Sequence, residues 1–85
     1  MKVTYRRDPI KALRRMQRAK AEDIAGAIQR VAADPGAPNN NLKPLKGVQN
    51  GFRLRVGDSR VSYTVDRDAA VIDVFEIAPR GGAYR

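Results

Sequence analysis

Two residues, Gly57-Asp58, separate two runs in which apolar and cationic side chains alternate, and this short turn constrains the chain more than any other feature. Before it, Phe52, Leu54 and Val56 alternate with Arg53 and Arg55; after it, Val61, Tyr63 and Val65 alternate with Arg60, Ser62 and Thr64. A period of two marks a strand with one buried face, and glycine at the first central position suits a two-residue hairpin turn. The turn sets the register. Val56 falls opposite Ser59, Arg55 opposite Arg60, Leu54 opposite Val61, Arg53 opposite Ser62, and Phe52 opposite Tyr63. Side chains alternate across a strand, so Phe52, Leu54, Val61 and Tyr63 share one face while Arg53, Arg55, Arg60 and Ser62 share the other. The apolar pattern and the turn give this register independently.

The second face is chemically unusual. Arg55 and Arg60 stand directly across from each other, a like-charge pairing that destabilises a hairpin by roughly a few tenths of a kcal/mol. Arg53 lies two residues away on the same side. Guanidinium is a planar fork that matches phosphate oxygens, so three in a small area make an anion site. The plainer reading is a solvated strand face, where Lys and Arg are common.

The remaining sequence supplies the frame. Lys2 to Arg6 alternates as a short strand. Asp8-Pro9 predicts an N-cap followed by proline at the first helical position, with Ile10, Leu13 and Met16 as the apolar side of a helix of about two turns and a break near Gln17 to Lys20. A second helix is expected from Ala21 to Ala33, with Ile24, Ile28, Val31 and Ala32 as its apolar stripe. Glu22 and Asp23 fall in its first turn and Arg30 near its end, as the helix dipole favours, and Asp34-Pro35-Gly36 stops it. Gly26 weakens this helix unless another helix approaches it closely. Ala37 to Asn50 reads as loop, with Asn39-Asn40-Asn41 as an irregular stretch. Ala70 to Ile77 is nearly continuous in apolar residues, as expected of an inner strand covered on both faces. The expected fold is α+β: a small antiparallel sheet of about four strands with an N-terminal helical pair packed on one face.

Composition narrows the chemistry. With 85 residues the chain reads as a single domain over 1–85, one that buries only about 60–65% of its unfolded surface, so no deep cofactor pocket is expected. It has no cysteine and no histidine, which excludes disulfides, thiolate metal sites and every Ser-His or Cys-His pair. Neither cofactor nor metal is expected, and catalysis would fall to Arg, Lys, Tyr, Asp or Glu. Seventeen Lys and Arg against nine Asp and Glu give a net charge of +8. Such a charge on a small body points to polyanions, nucleic acid first, an acidic protein second and a membrane surface third. The first residues lack the apolar core of a signal peptide, and no apolar run approaches the ~18 residues that span a membrane. A cytoplasmic location without a membrane partner is the expectation.

Leu42-Lys43-Pro44-Leu45-Lys46-Gly47, then Gly51 to Tyr63, and a closing Arg80 with Tyr84-Arg85 resemble the RelE/ParE toxin superfamily. The helical half ending Ala32-Ala33-Asp34-Pro35 is similar too, so the resemblance spans almost the whole chain. It implies the toxin of a type II toxin–antitoxin module, and Arg53, Arg55 and Tyr84 together favour the RelE-like branch, which enters the ribosomal A site and cleaves bound mRNA. The family's functional positions correspond to Arg53, Arg55, Arg60, Arg80 and Tyr84 as catalytic residues, with Lys43, Lys46 and Ser62 as substrate contacts. The expected partners are an acidic antitoxin, mRNA and the ribosome. Arginine stands at both Arg53 and Arg55, where some well-studied members carry lysine, Ser59 replaces a common aromatic, and Pro79-Arg80-Gly81-Gly82 replaces a more highly charged stretch.

RNA can be cut without water or metal if its own 2′-hydroxyl attacks the adjacent phosphate, a route that needs a base, stabilisation of the phosphorane charge, and help for the leaving oxygen. Tyr84 is the candidate base, Arg53, Arg55 and Arg60 hold the phosphate, and Arg80 assists the leaving group. Two other classes fit the same residues: a ParE-like inhibitor of DNA gyrase and a non-catalytic nucleic-acid-binding module. Lys11, Arg14, Arg15 and Arg18 on the first helix either meet a partner or ribosomal RNA, or form a solvated face.

Overall fold

In the computed structural model, which describes residues 1–79, the Gly57-Asp58 turn closes as its composition requires. Gly57 has φ +56° and Asp58 does not, a left-handed first position that glycine adopts without strain. The flanking strands pair in the expected register, Arg55 with Arg60 and Leu54 with Val61 included.

The elements run β1 (Lys2–Tyr5), α1 (Arg7–Arg15), α2 (Arg18–Ala33), β2 (Leu42–Pro44), β3 (Gly51–Val56), β4 (Ser59–Asp66) and β5 (Val71–Pro79). The sheet order is β1-β5-β4-β3-β2. It therefore has five strands rather than four, and it is mixed, because β1 pairs with β5 in parallel while the other pairs are antiparallel. The added strand is β2, in the stretch expected as loop. Three residues ending in proline show no period, and proline is tolerated there because β2 is an edge. β2 returns to β3 through a tight connection in which Leu45 N–H donates to Gly51 O at 2.9 Å. A Cβ on buried Gly51 would lie 2.5 Å from Val48 Cγ1, so only glycine fits.

The helices also depart in detail from expectation. Asp8 lies inside the first turn of α1, not at its cap; Arg6 precedes the helix and makes no side-chain cap. Pro9 is buried at the third helical position, where its missing N–H is one of those a helix leaves without a partner. Ile10 is exposed, and the apolar side is carried by Ala12, Leu13 and Met16. The break falls at Met16-Gln17, so α2 starts at Arg18 with no acidic residue in its first turn. A Cβ on Gly26 would meet nothing nearer than Arg30 Nη1 at 3.6 Å, so no second helix crowds it.

The core forms where α2 lies on the sheet. Its expected stripe, Ile24, Ile28, Val31 and Ala32, is buried against Leu54, Val61, Tyr63, Val65, Ile72, Val74 and Ile77. β5 is an inner strand in the order but is covered on one face only: Ile72, Val74 and Ile77 are buried while Glu76 is exposed. A register shift at Ser62/Tyr63 against β5 passes over Phe75, which breaks the strict alternation of the strand. No helix among the described residues is long and apolar enough to cross a membrane.

Candidate nucleic-acid interface

The face turned away from α2 collects the cations. Across the sheet, Lys43 on β2 pairs with Arg53 on β3, Arg53 with Ser62 on β4, and Ser62 with Glu76 on β5. The next row on this face is Arg55 with Arg60. Adjacent strands lie about 4.8 Å apart, so the pairing alone holds four cationic side chains within one small area. They line a groove of about 260 Å³ with Asn40 and Asn41.

The electrostatics of this groove are one-sided. Among the described residues the ion pair is Arg6 with Asp73, at 3.0 Å, on another part of the face. None of Lys43, Arg53, Arg55 or Arg60 has a carboxylate within salt-bridge distance there. The Nε groups of Arg53 and Arg60 are buried and donate to no acceptor among the described residues. Buried donors normally find a partner, and one without it costs about 1–3 kcal/mol. Clustered like charges with unmatched donors have the chemistry to accept an anion.

The expected site residues sort into three groups. Arg53, Arg55, Arg60 and Lys43 come together in the groove. Lys46 and Ser62 do not line it. Lys46 is in the connection after β2, and Ser62 is fully buried, its hydroxyl donating to Glu76 Oε1 at 3.1 Å. Arg80 and Tyr84 lie outside the described residues. Two lining residues, Asn40 and Asn41, lie in the stretch expected as irregular chain; the signal for them is their place just before Lys43, which has meaning only once β2 exists.

The two core-side tyrosines are poor bases. Burial raises the Tyr5 phenol above its ordinary value and pushes Tyr63 up to about 12. Tyr63 instead stacks with Phe52, ring centroids 5.8 Å apart.

This architecture has known counterparts. The chain superposes on the RelE–RelB complex of Pyrococcus horikoshii with a TM-score of 0.80 and 26% identity, covering 96% of this chain and 97% of that one. It superposes on the intact E. coli RelBE toxin–antitoxin complex at 0.78 and 17% identity, covering 99% and 98%. A YoeB/ParE toxin from Agrobacterium tumefaciens gives 0.77 at 20% identity, covering 94% and 99%. By sequence, 45 residues are 40% identical to a Methanocaldococcus jannaschii protein that carries the toxin name RelE1, a match over 53% of this chain and 50% of that protein. The matched stretch thus spans half the length of that relative. No family model matches the sequence. The fold is that of the RelE/ParE toxin superfamily.

Proposed function

We propose that this chain is the toxin of a type II toxin–antitoxin module and that it cuts ribosome-bound mRNA. The observation that carries the reading is the groove of Lys43, Arg53, Arg55 and Arg60, free of carboxylate partners among the described residues, on a RelE-type fold. Its chemistry suits phosphate and needs no deep pocket. In the proposed reaction a 2′-oxygen attacks the adjacent phosphorus while the bond to the 5′-oxygen breaks. The products are a 2′,3′-cyclic phosphate and a 5′-hydroxyl. Arg53, Arg55 and Arg60 hold the phosphate and the charge that grows on its oxygens. Tyr84, as phenolate, takes the proton from the 2′-hydroxyl, and Arg80 stabilises the departing 5′-oxygen, which takes a proton from water to become the 5′-hydroxyl.

A set so poor in ordinary acids and bases depends on a substrate positioned from outside, which the ribosome supplies. The partner is an acidic antitoxin that covers the cations and removes their mutual repulsion. Mapping transcript ends after induced expression tests the reading. Breaks inside translated codons are expected from the wild type, with a loss of at least about a hundredfold in Arg60→Ala and Tyr84→Phe, as removal of charge-stabilising or acid–base groups produces. Full cleavage by both variants refutes the residue roles. Stabilised gyrase–DNA breaks in place of RNA breaks refute the nuclease itself.

A further inference from the structure

Three of the four groove cations are guanidinium groups, which hold their protons too firmly to act as nucleophiles. The fourth, Lys43, is a primary amine on the edge strand β2, exposed and paired across the sheet with Arg53. Acylation is chemistry that a lysine amine undergoes, and it removes the charge. The chain has four other lysines, Lys2, Lys11, Lys20 and Lys46. Among the described residues none of these lines the groove. Lys11 and Lys20 lie on the helices that cover the other face of the sheet, and Lys20 shares its cavity with the carboxylate of Asp58.

The arginines around Lys43 suit one kind of acyl donor. Arg53 and Arg60 keep unmatched Nε donors, and among the described residues no carboxylate lies within salt-bridge distance of any groove cation. At about 260 Å³ the groove is below the roughly 300–1,000 Å³ of sites for drug-sized ligands. A phosphate seated on the arginines therefore keeps the remainder of a small molecule beside Lys43. In an acyl phosphate the reactive carbon is bonded directly to a phosphate oxygen, so binding the phosphate presents that carbon to the amine. In a coenzyme A thioester the phosphates are many bonds from the reactive carbon, and the same binding would carry it out of the groove.

We propose that Lys43 is an acylation site, modified directly by an acyl phosphate whose phosphate is held by Arg53, Arg55 and Arg60. The ε-amine, as the free base, attacks the acyl carbon, and the bond from that carbon to the phosphate oxygen breaks. The departing phosphate takes the proton that the nitrogen sheds. The products are an Nε-acyl amide and inorganic phosphate, with nothing oxidised or reduced. The guanidinium forks stabilise the charge that gathers on the leaving phosphate, and a held donor replaces a chance encounter. The groove thereby loses one of its four cations. This goes beyond the nuclease reading and requires of the groove that it take a phosphate group, not that it cut RNA.

Incubation of the full chain with acetyl phosphate, followed by peptide mass mapping, tests the site with the other four lysines as internal standards. Lys43 should be acetylated about tenfold faster than any of them, a small part of what orientation can supply. Arg53→Ala should bring Lys43 down to their rate. Excess inorganic phosphate should do the same in the wild type, a measurement that needs no variant to fold. The acetyl ester of N-hydroxysuccinimide, which has no phosphate, should show no preference for Lys43. Five lysines modified alike by acetyl phosphate overturn the inference, as does a Lys43 preference that survives Arg53→Ala or excess phosphate, or that the ester shares. Normal cleavage of translated mRNA by a chain without selective acetylation sinks this inference alone. Selective acetylation of a chain that leaves such mRNA uncut overturns the nuclease reading and leaves the acylation site standing.

Discussion

On the helix side of the sheet Ile28, Val61, Ile72 and Val74 have 0% exposure and pack against one another; on the other side Lys43, Arg53, Arg55 and Arg60 gather around a groove. The same strands serve both faces, since Leu54 and Arg55 are neighbours in sequence and so are Arg60 and Val61. One face gains by excluding water and the other loses by concentrating charge. Stability alone gives no reason for Arg55 and Arg60 to face each other on an otherwise well-formed hairpin.

The largest test of this contrast is on the apolar side. Ile28→Ala should lower the unfolding free energy by about 2–5 kcal/mol in denaturant titration, enough to unfold a substantial fraction of so small a domain. A loss below 1 kcal/mol would show that α2 does not anchor the core. A second effect follows from Tyr63, whose phenol is raised from 10.0 to about 12 by burial. The unfolded chain releases this proton first, so stability should fall as pH rises from about 10 toward 12. Tyr63→Phe keeps the ring and should flatten that alkaline decline; an unchanged decline would place its origin elsewhere.

Smaller effects come from the helix surface and the cationic face. Gly26→Ala should raise the melting temperature, by an amount equivalent to about 0.5–1 kcal/mol, because its Cβ has room 3.6 Å from the Arg30 side chain. Arg55→Thr should also stabilise, by about 0.2–1 kcal/mol, through relief of the pairing with Arg60. Raising the salt concentration should shrink that gain. A variant that is firmer than wild type yet inactive would separate the two faces most directly. Destabilisation by Arg55→Thr would show instead that the arginine holds the structure together.

Most of the fold was legible because its strongest elements are periodic. The hairpin register followed from Gly57-Asp58 and the alternation around it, and α2 from the spacing of Ile24, Ile28, Val31 and Ala32. What escaped was set by tertiary context. β2 is three residues long and takes its identity from the partner Arg53 and from the crowding of Gly51 by Val48. The parallel direction of β1 depends on a strand far along the chain. Within the site, the arginines on β3 and β4 were placed by parity alone. The groove's far wall, Asn40, Asn41 and Lys43, needed β2, and Ser62 could not be seen as buried without its hydrogen bond to Glu76.

The parallel pairing of β1 with β5 has a consequence for the order in which the molecule assembles. Thr4 bonds Asp73, 69 positions away, whereas β2 to β5 are a meander of sequential neighbours. Contacts closed over short loops form early and those closed over long ones late. The hypothesis that follows is that the cations are brought together while the N-terminal strand is still detached, so a refolding chain gathers its repulsion before it completes the sheet that restrains it. Pulsed hydrogen exchange during refolding should then protect β3 and β4 amides ahead of β1, and simultaneous protection would refute that sequence of events.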